Sequence, residues 1–378
     1  MRRLAFLLAG FMALATLAEA ADLPRRGYLG VRLKDMSRGA ASRAGFDGAA
    51  LEITTILPDG SAEGAGLTPE DFILELEGDP VTTVADFVAA VASSREGDTV
   101  RLTLSRSGQT RNVAMKVRPY PREEDPAFVT RYTHAKANGE RYRLVVTIPR
   151  PEAADANGQY PAVYFVTEVG CFNVESPYES PAYKRLAHDF TLQGFVTVRL
   201  DKPGCGDSEG GPCPEVSFAR ELEAFAAGLD ETAKVPEVSP GMVILFGHGL
   251  GGMMAPYLAA DRELAGIVAV GTTYGDWREF ELKNLERRNT LSGMAPVENS
   301  KQQAVYREFQ ENLYGKGRKL EDLVRNNPNL EAQFFTDLPY LYAGKVDSCF
   351  REVEALDTDV AWAQVTAPVV VLWGETDF

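Results

Sequence analysis

Residues 242–260 read MVILFGHGLGGMMAPYLAA, and three kinds of sequence follow one another within them. MVILF is an uninterrupted apolar run, the signature of a strand buried on both faces. GHGLGG then offers Gly247, Gly249, Gly251 and Gly252, the residues a very tight turn needs. MMAPYLAA reads as helix. A strand that passes through a glycine turn straight into a helix is part of a β-α-β unit, so the flanking sequence should repeat the pattern.

The repeats are present. AVYFV (162–166), FVTVRL (195–200), GIVAVG (266–271) and PVVVLWG (368–374) are further apolar runs separated by helical stretches. Such alternation predicts a doubly wound, mostly parallel sheet with strands buried on both faces. Before it, FVTRYTHAK (128–136) and RYRLVVTI (141–148) flank the turn ANGE. Between the last two runs, residues 274–366 are charged and helical, as in DWREFELKNLERR, KQQAVYREFQENL and KLEDLVRNN, and read as a helical cap with solvated charged faces.

The first 118 residues have another texture. Arg2 and Arg3 precede an apolar run from Leu4 to Leu17 that ends in the small-x-small pattern Ala18, Glu19, Ala20. This is a signal peptide over residues 1–20, which predicts a periplasmic or secreted chain starting at Ala21. The run is short of the roughly 20 residues needed to cross a bilayer, so no stable membrane span is expected. Residues 21–118 then give strand-like GYLGVRL and LEITTIL, the turn PDG into SAEGAGL, strand FILEL, a helix from Val84 to Ser93, and a final hairpin of TVRLTLSR and TRNVAMKV. Residues 119–127, with two prolines and the charged run REED, read as a stiff, solvated linker to a second domain over 128–378.

At 378 residues, 45% hydrophobic and 25% charged, the chain has material for two packed cores. A formal net charge of −15 repels phosphate backbones and argues against nucleic acid as a partner. Cys205 and Cys213 lack close C-x-x-C spacing and have no histidine nearby, so no metal site is expected. GHGLGG is only superficially a dinucleotide loop, since it lies at the third buried strand. No cofactor is therefore expected.

The order GYLGV, PDGSAEGAGL, DFILELEGDPV and closing hairpin resembles the PDZ domains of periplasmic serine proteases. That resemblance implies that a peptide's C-terminus docks as an added strand. Tyr28, Leu29, Gly30 and Val31 would receive its carboxylate, and Phe87, Val88 and Val91 would border its side-chain pocket. Equally, the apolar members could be core residues and the groove vestigial.

FGHGLGG resembles the nucleophile elbow of α/β-hydrolases, whose pattern is G-x-S-x-G, with Gly249 where the serine belongs. The loop DKPGCGDSEGG (201–211) resembles the family's D-x-R-G-x-G-x-S loop, with Lys202 for arginine. TEVGCF (167–172) stands where the family has its oxyanion loop, with Thr167 and Glu168 replacing the usual H-G. The resemblance implies that the amides of Val169 and Leu250 form the oxyanion hole and that Asp377, in G-x-x-D after a strand, is the triad acid. It also brings the loops of Cys171 and Cys213 to one sheet edge, which makes these the preferred disulfide pair, with Cys205 as competitor.

Glycine has no side chain with which to attack a carbonyl. The family's base should follow the acid, yet the chain's histidines are at 134, 188 and 248 and none follows Asp377. Two readings remain. One is an exported serine hydrolase, esterase or peptidase-like, acting on a small-molecule or peptide acyl substrate, represented by an inactive, C-terminally truncated chain. The other is a non-catalytic protein that uses the peptide groove and the hydrolase pocket for binding.

Overall fold

The computed structural model describes residues 23–36, 49–150, 154–175, 182–327, 330, 345 and 347–374. The expected signal peptide and the proposed acid Asp377 lie outside these residues.

The first unit runs β1 (Gly27–Tyr28), β2 (Val31–Met36), β3 (Ala50–Ile56), α1 (Ser61–Gly64), β4 (Phe72–Leu76), β5 (Asp79–Pro80), α2 (Val84–Val91), β6 (Thr99–Arg106), β7 (Gln109–Lys116) and β8 (Arg118–Pro119). Its main sheet has the order β2-β3-β4-β6-β7, all antiparallel. Thr83 caps α2 by accepting from the Asp86 amide, which aims Phe87 into a core with Leu51, Ile53, Leu102 and Met115.

The second unit contains β9 (Phe128–Ala137), β10 (Glu140–Pro149), β11 (Tyr160–Val166), α3 (Ala182–Leu192), β12 (Val196–Leu200), α4 (Phe218–Thr232), β13 (Val238–His248), α5 (Leu250–Ala259), β14 (Gly266–Val270), α6 (Trp277–Leu291), α7 (Pro296–Gln310), α8 (Leu320–Asn326), α9 (Asp347–Glu354), α10 (Thr358–Ala363) and β15 (Val369–Leu372). Its seven strands lie in the order β15-β14-β13-β11-β12-β10-β9. β11 to β15 are mutually parallel, and β9 and β10 extend the sheet antiparallel.

The apolar runs divide by position. β11 and β12 lie centrally and are buried almost throughout, while β15 is an edge strand whose Val369, Val370, Val371 and Leu372 are exposed. Two-sided burial, expected from the run alone, needs covering neighbours, and among the described residues β15 pairs only with β14. The core is tight enough that Tyr164 donates to the Phe225 carbonyl at 2.9 Å, in space that a side chain at Gly228 would fill.

Residues 119–127 are exposed or half-buried except for Glu123. Glu123 is buried and holds Arg199 through two hydrogen bonds, at 2.9 and 2.7 Å, with His188 Nε2 at 3.0 Å. Arg25, beside the first strand, reaches Glu175 at 2.8 Å and Asp207 at 2.6 Å, and also donates to the carbonyls of Tyr120 and Pro121. With β1 paired to β8, the chain entering and the chain leaving the first unit form a two-stranded belt fastened to the second. The strands supply Arg143 and Arg199 from inside the sheet, and buried charges of this kind demand partners.

Candidate functional site

β13 delivers the chain to Gly249, whose φ of 54° and ψ of −119° lie in a region that side-chain-bearing residues rarely adopt. α5 starts at the next residue. The turn closes because Gly251 packs on β11: a Cβ there would lie 2.2 Å from the Val166 carbonyl oxygen. Thr272, after β14, donates to the Gly249 carbonyl at 2.8 Å and fixes the turn from the other side.

The space above Gly249 is filled. A Cβ on residue 249 would meet Glu168 Oε2 at 1.6 Å and Oε1 at 2.6 Å. Glu168 Oε1 accepts from the Val169 amide at 2.6 Å and from the Leu250 amide at 3.3 Å. The two amides that the resemblance assigns to an oxyanion hole thus converge on one oxygen, and that oxygen belongs to the protein. The Glu168 backbone is fixed at both ends, its amide donating to Tyr183 Oη at 2.7 Å and its carbonyl accepting from Lys202 Nζ. Glu168, Val169, His248 and Gly249 are all half-buried, so the site meets solvent.

Around this carboxylate, Tyr183 Oη lies 2.7 Å from His248 Nδ1, and its ring stacks on Phe172. Burial pushes the Tyr183 phenol well above its ordinary range, so it stays protonated. Lys202, buried at the arginine position of its loop, sits 3.5 Å from Glu221 and ties that loop to Glu168. Asp201 beside it accepts from the Val174 amide at 3.0 Å. Burial, then the charge of Glu175, lifts its carboxyl to about 7.

Cys171 and Cys213 are joined by a disulfide that links the loop after β11 to the loop before α4. Cys205 is a buried thiol, and the three sulfurs lie within 4.8 Å of one another. Chain spacing did not suggest that convergence. His134 lies in β9 and His188 in α3, where its Nε2 lies 3.0 Å from Glu123.

In the first unit, Tyr28, Leu29, Gly30 and Val31 line one cleft of about 300 Å³ with Phe87, Val88 and Val91. Phe87 serves the core as well, being 2% exposed, whereas Val88 is 51% exposed at the cleft's rim. The Leu29 and Gly30 carbonyls are engaged by the amides of Ala62 and Leu57. Sequence reasoning missed Glu168, Tyr183 and Thr272 as parts of the elbow site. The available signal was the paired departure of Glu168 and Gly249 from the α/β-hydrolase pattern.

Residues 27–117 match the family model of the PDZ domain, and residues 170–378 match that of the alpha/beta hydrolase family. A Bartonella henselae protein named "Probable periplasmic serine endoprotease DegP-like" is 27% identical over 128 residues, covering 33% of this chain and 25% of that protein. A protein of the same name from Pseudomonas putida is 30% identical over 117 residues, covering 31% and 24%. The chain therefore spans about a quarter of these relatives. Among solved structures, a hypothetical protein from Pseudomonas aeruginosa is 15% identical, with a TM-score of 0.40 over 66% of this chain and 86% of that one.

Proposed function

Because the chain belongs to the alpha/beta hydrolase family and carries a PDZ domain ahead of that fold, we propose that it is an exported peptide-docking protein whose hydrolase pocket holds a ligand but is closed to serine-type acyl transfer. One observation carries this reading. The nucleophile position is a glycine, and Glu168 fills both the space of the missing side chain and the hole that would take an acyl substrate's oxygen. Acyl transfer needs a nucleophile and free donors for the developing oxyanion. Here the first is absent from residue 249 and the second are engaged.

The PDZ cleft supplies the partner side of the reading. A peptide C-terminus would place its carboxylate at Tyr28–Val31 and its last side chain against Phe87, Val88 and Val91. Export to the periplasm or beyond is supported by the sequence pattern of residues 1–20 and by the periplasmic designation of the DegP-like relatives. Among the described residues, no helix is long and apolar enough to cross a membrane.

The test is a serine-directed fluorophosphonate probe followed by intact mass measurement. The chain is expected to remain unlabelled. Stoichiometric labelling within the second unit would overturn the reading.

A further inference from the structure

Independently of the reading of residue 249, we propose that Cys171, Cys205 and Cys213 form a thiol–disulfide exchange site, in which Cys205 displaces Cys171 from Cys213 and the freed Cys171 thiol reacts with small disulfides from solvent. The three sulfurs lie within 4.8 Å of one another, with one pair bonded and the third free. They differ in access. Cys205 and Cys213 are 4% and 3% exposed, whereas Cys171 is open to solvent. The bond therefore joins an open sulfur to a covered one, and a covered thiol stands beside it.

Backbone packing holds the covered pair together. The loop from Lys202 to Cys213 folds back on itself so closely that a Cβ on Gly204 would lie 2.5 Å from the Gly211 Cα and 2.7 Å from the Cys213 amide nitrogen. The Cys205 amide donates to the Lys202 carbonyl at 2.9 Å, and Lys345 Nζ donates to the Cys213 carbonyl at 2.9 Å. Cys205 and Cys213 thus meet within one compact loop, while Cys171 comes from the separate loop after β11.

The exchange needs no oxidant or reductant. The Cys205 thiolate attacks Cys213 Sγ, the Cys213–Cys171 bond breaks, and its electron pair leaves on Cys171, which takes a proton from solvent in place of the one Cys205 gave up. Attack at Cys213 wins over attack at Cys171, because a thiolate leaves more readily where water stabilises it than from a buried position. The freed Cys171, as thiolate, attacks an external disulfide R–S–S–R, forms a mixed disulfide and expels RS⁻. The loop after β11 is then untied from the loop before α4. Burial pushes the Cys205 thiol up to about 12, with the charges of Asp201 and Glu221 adding to the shift and those of Lys202 and Lys345 opposing it. Little of it is thiolate at neutral pH, so the exchange takes on the order of hours there and speeds up about tenfold per pH unit as the proton is lost.

The experiment incubates the full, unreduced chain with dithiobis(nitrobenzoic acid) between pH 7 and 9, quenches in acid, and maps adducts and disulfides by peptide mass spectrometry without reduction. We expect a thionitrobenzoate adduct on Cys171 together with a Cys205–Cys213 bond, formed about tenfold faster per pH unit. The yield at Cys171 should fall at least about tenfold in Cys205→Ser and in Cys205→Ala. Should both variants fail to fold by circular dichroism, the pairing in the unsubstituted chain decides. Absence of the Cys171 adduct, its presence without a Cys205–Cys213 bond, or an undiminished yield in a folded Cys205 variant overturns the proposal.

Discussion

The Glu168 carboxylate occupies the volume where a side chain at residue 249 would begin. Glu168 and Gly249 each depart from the family pattern alone, yet together they are complementary, because the carboxylate needs the volume that glycine leaves open. A serine at 249 would have to push Glu168 off the Val169 and Leu250 amides, losing two hydrogen bonds to a charged acceptor. Gly249→Ser should therefore destabilise the chain by about 1–3 kcal/mol in urea unfolding. The elbow was legible in the sequence because glycine spacing is local. The role of Glu168 was not, because the Leu250 amide it binds lies 82 positions away and only folding brings the two together.

Among the elements, residues 119–127 hold one contact that composition does not show. REED has the composition of a solvated spacer, but Glu123 answers an arginine inside β12, 76 positions on. Composition reports average solvation and says nothing of which carboxylate a buried cation selects. Arg199→Ala should cost about 3–5 kcal/mol in urea unfolding, because it strands a buried carboxylate. The same pair sets a pH signature. Burial pushes the Glu123 carboxyl up, but hydrogen bonds from His188 and Arg199 and the charges of Arg199 and Lys184 outweigh it and hold the group down at about 2. A depressed carboxyl contributes stability above its unfolded value, near 4.5, and loses it as pH falls toward about 2. Unfolding followed from pH 5 to 2 should show that loss in the native chain and a shallower one in Glu123→Gln. The Cys171–Cys213 link encloses a separation of 42 residues, so Cys213→Ser should lower stability by about 2–4 kcal/mol under non-reducing conditions.

At the scale of the whole molecule, both units read correctly from periodicity and glycine placement, since strand and helix patterns are local signals. What periodicity could not supply was the joint between them, built from Arg25, Glu123, Glu175 and Asp207. The peptide cleft belongs to this scale because its rim residue Tyr120 also gives its carbonyl to Arg25. A peptide with a free C-terminus should bind the full chain and its amidated form should not. Val88→Lys, at the exposed rim, should weaken binding by about tenfold in a fluorescence titration. If serine chemistry is closed in this hydrolase fold, p-nitrophenyl butyrate is hydrolysed no faster with the full chain than in buffer, with or without a cleft-binding peptide. A saturable rate abolished by a serine-directed inhibitor would contradict it.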